Sequence, residues 1–304
     1  LSIKSINKFI KIVYFYILTI IIIMSASVNF KGNDGNQMFQ YMTAVVFCVK
    51  YNIELQTRPT EKLLKFFTFS ENIFSIKKQN EEGEEKKLKL TFRNFDKNDE
   101  LQFKGHNYHY IFTDYFQNSV FLNNNYDIIK ENVFLIKHDC RLYLSNYKHI
   151  QENDILFIMR LGDFKHEGEN SEIVHPNYFL NILENNNFSN IYISIHPFND
   201  KSKFKYLNFL NKYKEQIILL EDRSELIAFN IVNHFKNIAI PNSTFNWWSI
   251  FFQDELNNKK IFTPKFTGYF GIGDKFKCHG GHIKNLCNIR NISIPVDNEF
   301  IDLG

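Results

Sequence analysis

The chain has 304 residues, 44% of them apolar and 16% aromatic, with 36 basic side chains against 33 acidic ones. That length accommodates one or two domains with a substantial core. The net charge of +3, with no long Lys/Arg block, excludes a nucleic-acid footprint as the organising feature. Four cysteines are too few for a disulfide framework, and no Walker-type or G-x-G-x-x-G loop is present.

Phe9 to Ile23 is the most apolar stretch, preceded by Lys4, Lys8 and Lys11. With Met24 to Val28 it reaches the ~20 residues that span a bilayer, and the basic residues before it predict a type II anchor with its N-terminus inside. Ser25-Ala26-Ser27 also suits a signal-peptide cleavage site. A third possibility is translation from Met24, which would make residues 1–23 an upstream extension. The expectation is a single N-terminal span if those residues are translated, and a soluble cytoplasmic protein otherwise.

Ser27 to Lys31 reads as a first strand. Gly32-Asn33-Asp34-Gly35-Asn36-Gln37 follows as a Gly/Asn turn, and Met38 to Tyr51 as a helix with Met38, Tyr41, Met42, Val45, Val46 and Val49 on one face. Such a turn points backbone N–H groups at a common space. Glu61 to Phe69 and Asp127 to Phe134 read as helical. Asn107 to Phe121 is rich in aromatics, better suited to a core than to stacking on a sugar.

Asp154 to Met159 is a strong apolar strand ending in Arg160-Leu161-Gly162-Asp163. An Arg there offers a rigid fork to phosphate oxygens, which Asp163 could orient; a structural Arg–Asp pair is the plainer alternative. His175 to Leu180 opens a helix, Asn190 to Ile195 is a strand ending in His196-Pro197, and Lys203 to Tyr213 is a helix. Gln216 to Leu220 is a strand, Glu225 to Phe235 a helix, and Ile238 to Ile240 a short strand stopped by Pro241. Asn242, Ser243 and Thr244 are the residue types that cap a helix N-terminus, here that of Phe245 to Leu256, which holds both tryptophans. Lys260 to Phe266 is the last strand. This alternation predicts a doubly wound parallel sheet, preceded by a smaller α/β unit. The boundaries drawn are 1–28 (anchor or extension), 29–150, 151–290 and a tail at 291–304. Cys278, His279, His282 and Cys287 lack zinc-site spacing, so no metal site is expected.

Three of these stretches together resemble glycosyltransferase family 11, the α-1,2-fucosyltransferases. Gly35-Asn36-Gln37-Met38-Phe39-Gln40-Tyr41 is similar to the family's G-N-Q-M-F-Q-Y segment. Arg160-Leu161-Gly162-Asp163 is similar to its H-x-R-x-G-D motif, and Asn242-Ser243-Thr244-Phe245-Asn246-Trp247-Trp248 to its N-S-T-F-S-W-W motif. Phe262-Thr263-Pro264-Lys265 falls where the family has a short Pro-Lys segment. The matches are in order across residues 32–266.

The resemblance implies an α/β, GT-B-like fold of two Rossmann-like domains, the C-terminal one binding the donor. It implies GDP-β-L-fucose as donor, a galactose-containing glycan as acceptor, inversion at the anomeric carbon and no metal or other cofactor. Carried over by residue, Arg160 would hold the donor β-phosphate and Asp163 would orient Arg160 or bind the donor. Ser243 and Thr244, after Asn242, would bind phosphate, and Asn36, after Gly35, would approach the reacting centre. Asp163 and Asp34 are the candidate bases. The chain departs from the family at Ile158, where the motif has His, at Asn33-Asp34 in place of Gly-Leu, and at Ser194-Ile195-His196-Pro197 in place of an acidic segment.

Overall fold

Two parallel sheets carry the chain. The computed structural model describes residues 25–74, 86–105, 108–161, 173–196, 207–221, 224–265, 283–284, 289–290, 292–297 and 300–301. The first sheet is built from β1 (Ser25–Val28), β2 (Glu54–Leu55), β3 (Lys86–Leu90) and β4 (Tyr108–Phe112), in the order β2-β1-β4-β3. Helix α1 (Asp34–Tyr51) connects β1 to β2. It begins at Asp34, inside the stretch read as a turn, and the strand before it is Ser25–Val28, not 27–31. From Gly35 to Cys48, α1 is buried on nearly every side, Asn36 excepted, as expected of a helix enclosed between other elements. On the sheet side Phe47 stacks edge-on against Tyr110 and Phe112. The helix ends at Asn52, whose left-handed φ of 52° closes its last turn.

The expected helix at 61–69 is one turn, Glu61–Leu64, followed by a strand, Phe67–Phe69, which pairs antiparallel with Val133–Leu135. A two-residue strand, β5 (Gln117–Asn118), lies between β4 and the second half and pairs with Ile283–Lys284.

The second sheet contains β6 (Ile155–Arg160), β7 (Ile191–His196), β8 (Ile217–Leu220), β9 (Asn237–Ala239), β10 (Lys260–Pro264) and β11 (Ile294–Val296). All pairings are parallel and the spatial order is β8-β7-β6-β9-β10-β11. Counted in chain order within the sheet this is 3-2-1-4-5-6, the dinucleotide-binding order, which reverses direction between β6 and β9. The sixth strand comes from residues read as a tail.

β6 shows why the sheet is buried on both faces. Leu156 and Ile158 point into a core shared with the first sheet. Ile155, Phe157 and Met159 point into a second core, with Tyr178, Phe179 and Ile182 of the helix Asn177–Glu184. The shared core is continuous from Ala26 to Ile289. Its centre is the contact between α1 and α2 (Thr244–Phe251), the helix after β9. Phe39 lies 4.9 Å from Trp247 and 4.8 Å from Trp248, ring centre to ring centre. The tryptophans therefore join α2 to α1. Rings that bury about 150–250 Å² contribute roughly 4–6 kcal/mol each at about 25 cal/mol per Å².

Among the described residues no helix is long and apolar enough to cross a membrane. Of the expected span, residues 9–24 lie outside the described residues, whereas Ser25–Val28, read as its end, is strand β1 of the first sheet.

Candidate active site

In a sheet of this order, ligands bind beyond the carboxyl ends of the strands where the direction reverses. Here that position lies between β6, which ends in Arg160, and β9, which leads through Ile240 and Pro241 to Asn242, Ser243 and Thr244. Arg160 Nη1 donates to Ser243 Oγ at 3.1 Å. Ser243 is the N-cap of α2, and its Oγ also accepts from Asn246 N at 3.4 Å. With two donors on its oxygen, what the Ser243 hydroxyl has left to offer a ligand is its own O–H. A guanidinium, an O–H and a helix N-terminus together form an anion-binding set. Ser243 and Asn242 are buried and Arg160 half-buried. Tyr178 OH donates to Ile240 O at 3.1 Å, anchoring the strand end that leads into this turn. His196 sits beside Arg160 at the end of β7.

The first half of the chain enters the same place. The N-terminus of α1 meets that of α2 at Gly35, where an added Cβ would fall within clashing distance of Phe245 N and Thr244 Oγ1 and 2.6 Å from Thr244 C. Only glycine permits that approach. Thr244 Oγ1 donates to Asn36 Oδ1 at 3.3 Å, so the Thr244 hydroxyl is directed at Asn36. Gly35, Asn36, Arg160, Ser243 and Thr244 thus form one chain of contacts, with Asn242 preceding the cap.

The turn before α1 is braced by the side chains of its own first turns. Gln40 accepts from Lys31 N at 2.9 Å and donates to Lys31 O at 3.0 Å. Gln37 donates to Gly32 O at 3.1 Å and accepts from Thr60 Oγ1 at 3.2 Å. Gly32 has φ +72°, and a Cβ there would lie 2.5 Å from Asn36 Nδ2. Asp34 is paired with Lys62 at 3.2 Å, which engages one of the two candidate bases. The other, Asp163, lies outside the described residues, as do Gly162, Cys278, His279, His282 and Cys287. Among the described residues no group of His, Cys, Asp or Glu is arranged to hold a metal ion.

Gln117 is a site residue that sequence reasoning missed. Its Nε2 donates to Asn36 Oδ1 at 2.6 Å, across 81 residues of sequence. The aromatics before it are mainly core: Tyr110, Phe112 and Phe116 are fully buried, and Tyr115 approaches Gly32. Phe116 has φ 53°, a conformation that costs a bulky residue about 1–3 kcal/mol and persists only where its surroundings hold it.

No protein-family model matches this chain, and no curated protein does.

Proposed function

We propose that the protein is an inverting glycosyltransferase that moves L-fucose from GDP-β-L-fucose to a hydroxyl of a galactose-containing glycan. The reading takes the two parallel sheets as the two Rossmann-like halves of a GT-B-like enzyme, with the donor on the six-stranded one. The observation that carries it is the Arg160–Ser243 contact at the reversal of the 3-2-1-4-5-6 sheet, with Gly35 and Asn36 brought against the same helix start. Each motif of the family 11 resemblance contributes a residue to that one place.

In this reading Arg160 and the Ser243 hydroxyl hold the donor diphosphate at the N-terminus of α2. An acceptor hydroxyl attacks the anomeric carbon from the face opposite GDP. The new carbon–oxygen bond forms as the bond to the β-phosphate breaks, GDP leaves with the bonding electrons, and the hydroxyl proton passes to a base. Preorganised donors aimed at the departing diphosphate supply the largest share of the rate acceleration. A guanidinium and a helix N-terminus can neutralise that charge, so the reaction as read needs no metal ion. If residues 1–23 are translated, they anchor the enzyme to a membrane.

Ile158 favours a second reading. It occupies the place where the resembled motif has His, and it is only 4% exposed, packed in the shared core. A relative that uses another nucleotide sugar, or that binds glycans without turnover, would fit this loss. Incubation of the purified protein with GDP-fucose and a galactose-ended acceptor, with and without EDTA, separates these readings. Fucosylated product in both arms supports the proposal. Transfer only from another nucleotide sugar, or glycan binding with neither transfer nor GDP binding, sinks it.

A further inference from the structure

We infer that Gln117 is a positioning residue that fixes which end of the Asn36 amide faces the ligand, so that Asn36 acts as a hydrogen-bond donor to the diphosphate. This rests on the reading of the site as a nucleotide-sugar site.

The Asn36 amide oxygen is occupied twice, by Gln117 Nε2 at 2.6 Å and by Thr244 Oγ1 at 3.3 Å. What the side chain presents elsewhere is therefore Nδ2, with its two N–H donors. The amide nitrogen packs against Gly32, where a Cβ would stand 2.5 Å from it, so only glycine lets Asn36 lie there. An amide offering only donors, held against the N-terminus of the helix whose cap Ser243 binds Arg160, suits a phosphate oxygen and does not suit the proton of an acceptor hydroxyl.

Gln117 is built to hold this orientation. It is 5% exposed, on a two-residue strand. The preceding Phe116 is in the left-handed region, and Asn118 N donates back to Phe116 O at 2.7 Å. The Asn118 side chain caps the next helix through Val120 N and Phe121 N and donates to Asp99 Oδ1 at 3.0 Å. With both flanking residues fixed, the Gln117 side chain has a defined direction, toward α1. The link also runs across the molecule, because Asn36 in turn holds Thr244 of α2.

The test measures GDP binding by calorimetry on folded protein, checked by circular dichroism and thermal melting. Gln117→Glu removes the donor and leaves an acceptor, so Asn36 must turn Nδ2 away from the ligand and its oxygen toward it; GDP affinity should fall tenfold or more. Gln117→Met keeps the length and the buried fit but frees the amide, and should weaken GDP severalfold. Asn36→Asp keeps an oxygen for Gln117 and Thr244 but offers the ligand a negative oxygen; it should fold and still bind GDP at least tenfold more weakly. If Gln117→Glu fails to fold, the other two variants decide. Wild-type affinity in the folded variants overturns the inference, and so does a change confined to KM for the acceptor. A wild-type protein that binds no GDP overturns the underlying reading instead.

Discussion

Arg160 and Ser243 are 83 residues apart in sequence and 3.1 Å apart in space, joined across the one place where the six-stranded sheet changes direction. The arginine ends the central strand and the serine starts a helix, so each is fixed by the element that delivers it. If this pair holds the departing diphosphate, Arg160→Ala should lower turnover by ~10²-fold or more, the loss expected for one anion-stabilising donor. Arg160→Lys should restore little, because an ammonium lacks the planar fork. Steady-state kinetics with GDP-fucose reads both, and near-normal turnover in the alanine variant would refute the role.

Gly35→Ala tests the meeting of the two helix starts. The new methyl would press on Phe245 N and on Thr244, and these are largely backbone atoms that cannot swing aside. Overpacking of this kind costs about 1–3 kcal/mol. The urea midpoint should fall accordingly, and GDP binding should weaken with it. A variant as stable as wild type would mean that α1 and α2 separate freely.

Phe39→Ala should be more damaging, by about 3–5 kcal/mol, because it empties a fully buried site between two helices. The chain contains only two tryptophans, Trp247 and Trp248, and both touch Phe39. Intrinsic fluorescence is thus a direct reporter of this contact, and its emission maximum should shift to the red in the variant. Unchanged emission and stability would place the α1–α2 contact elsewhere.

At alkaline pH the buried tyrosines set the limit. Burial pushes the Tyr192 phenol up to about 12, and burial, with a smaller contribution from Cys48, holds Tyr41 well above the usual tyrosine range. Both are hydrogen-bonded as phenols, Tyr192 to Lys148 O at 2.8 Å and Tyr41 to Thr57 O at 3.0 Å. A folded pKa above the unfolded value of about 10 means that the folded state holds its proton more tightly. The contribution of Tyr192 is therefore complete below pH 10 and is lost as pH rises toward 12. Unfolding free energy measured from pH 8 to 12 should fall in that window, and Tyr192→Phe should flatten the fall. A flat wild-type profile would refute this.

Much of the second sheet was legible because parallel strands buried on both faces are continuous apolar runs. Asp154 to Met159 and Asn190 to Ile195 each fall within a residue of their strands. A capped helix start after Pro241 was legible from residue type, though Asn242, Ser243 and Thr244 all suit a cap and the helix begins one residue earlier than expected, at Thr244 with Ser243 as cap. Three features were not. β11 contains Pro295 and is largely exposed, the pattern of an edge strand, where proline is tolerated, and one that reads as a tail. The expected helix at 225–235 tightens to a 3-10 turn from Ile231, which the apolar spacing does not distinguish. Gln117 was invisible because its role depends on Asn36, 81 residues away, while its neighbours Tyr115 and Phe116 look like ordinary core. The order of the strands, which locates the site, belongs to the sheet as a whole and to no local stretch.

The head-on packing of α1 and α2 has a thermodynamic consequence. Halves separated by an empty cleft could melt one at a time, but here Phe39, Trp247 and Trp248 make each half part of the other's interior. Unfolding either one would strip apolar surface from its partner. The protein should lose its structure in a single all-or-none step, and residues 25–150 produced alone would expose the face of α1 that α2 covers and should not hold a fixed fold.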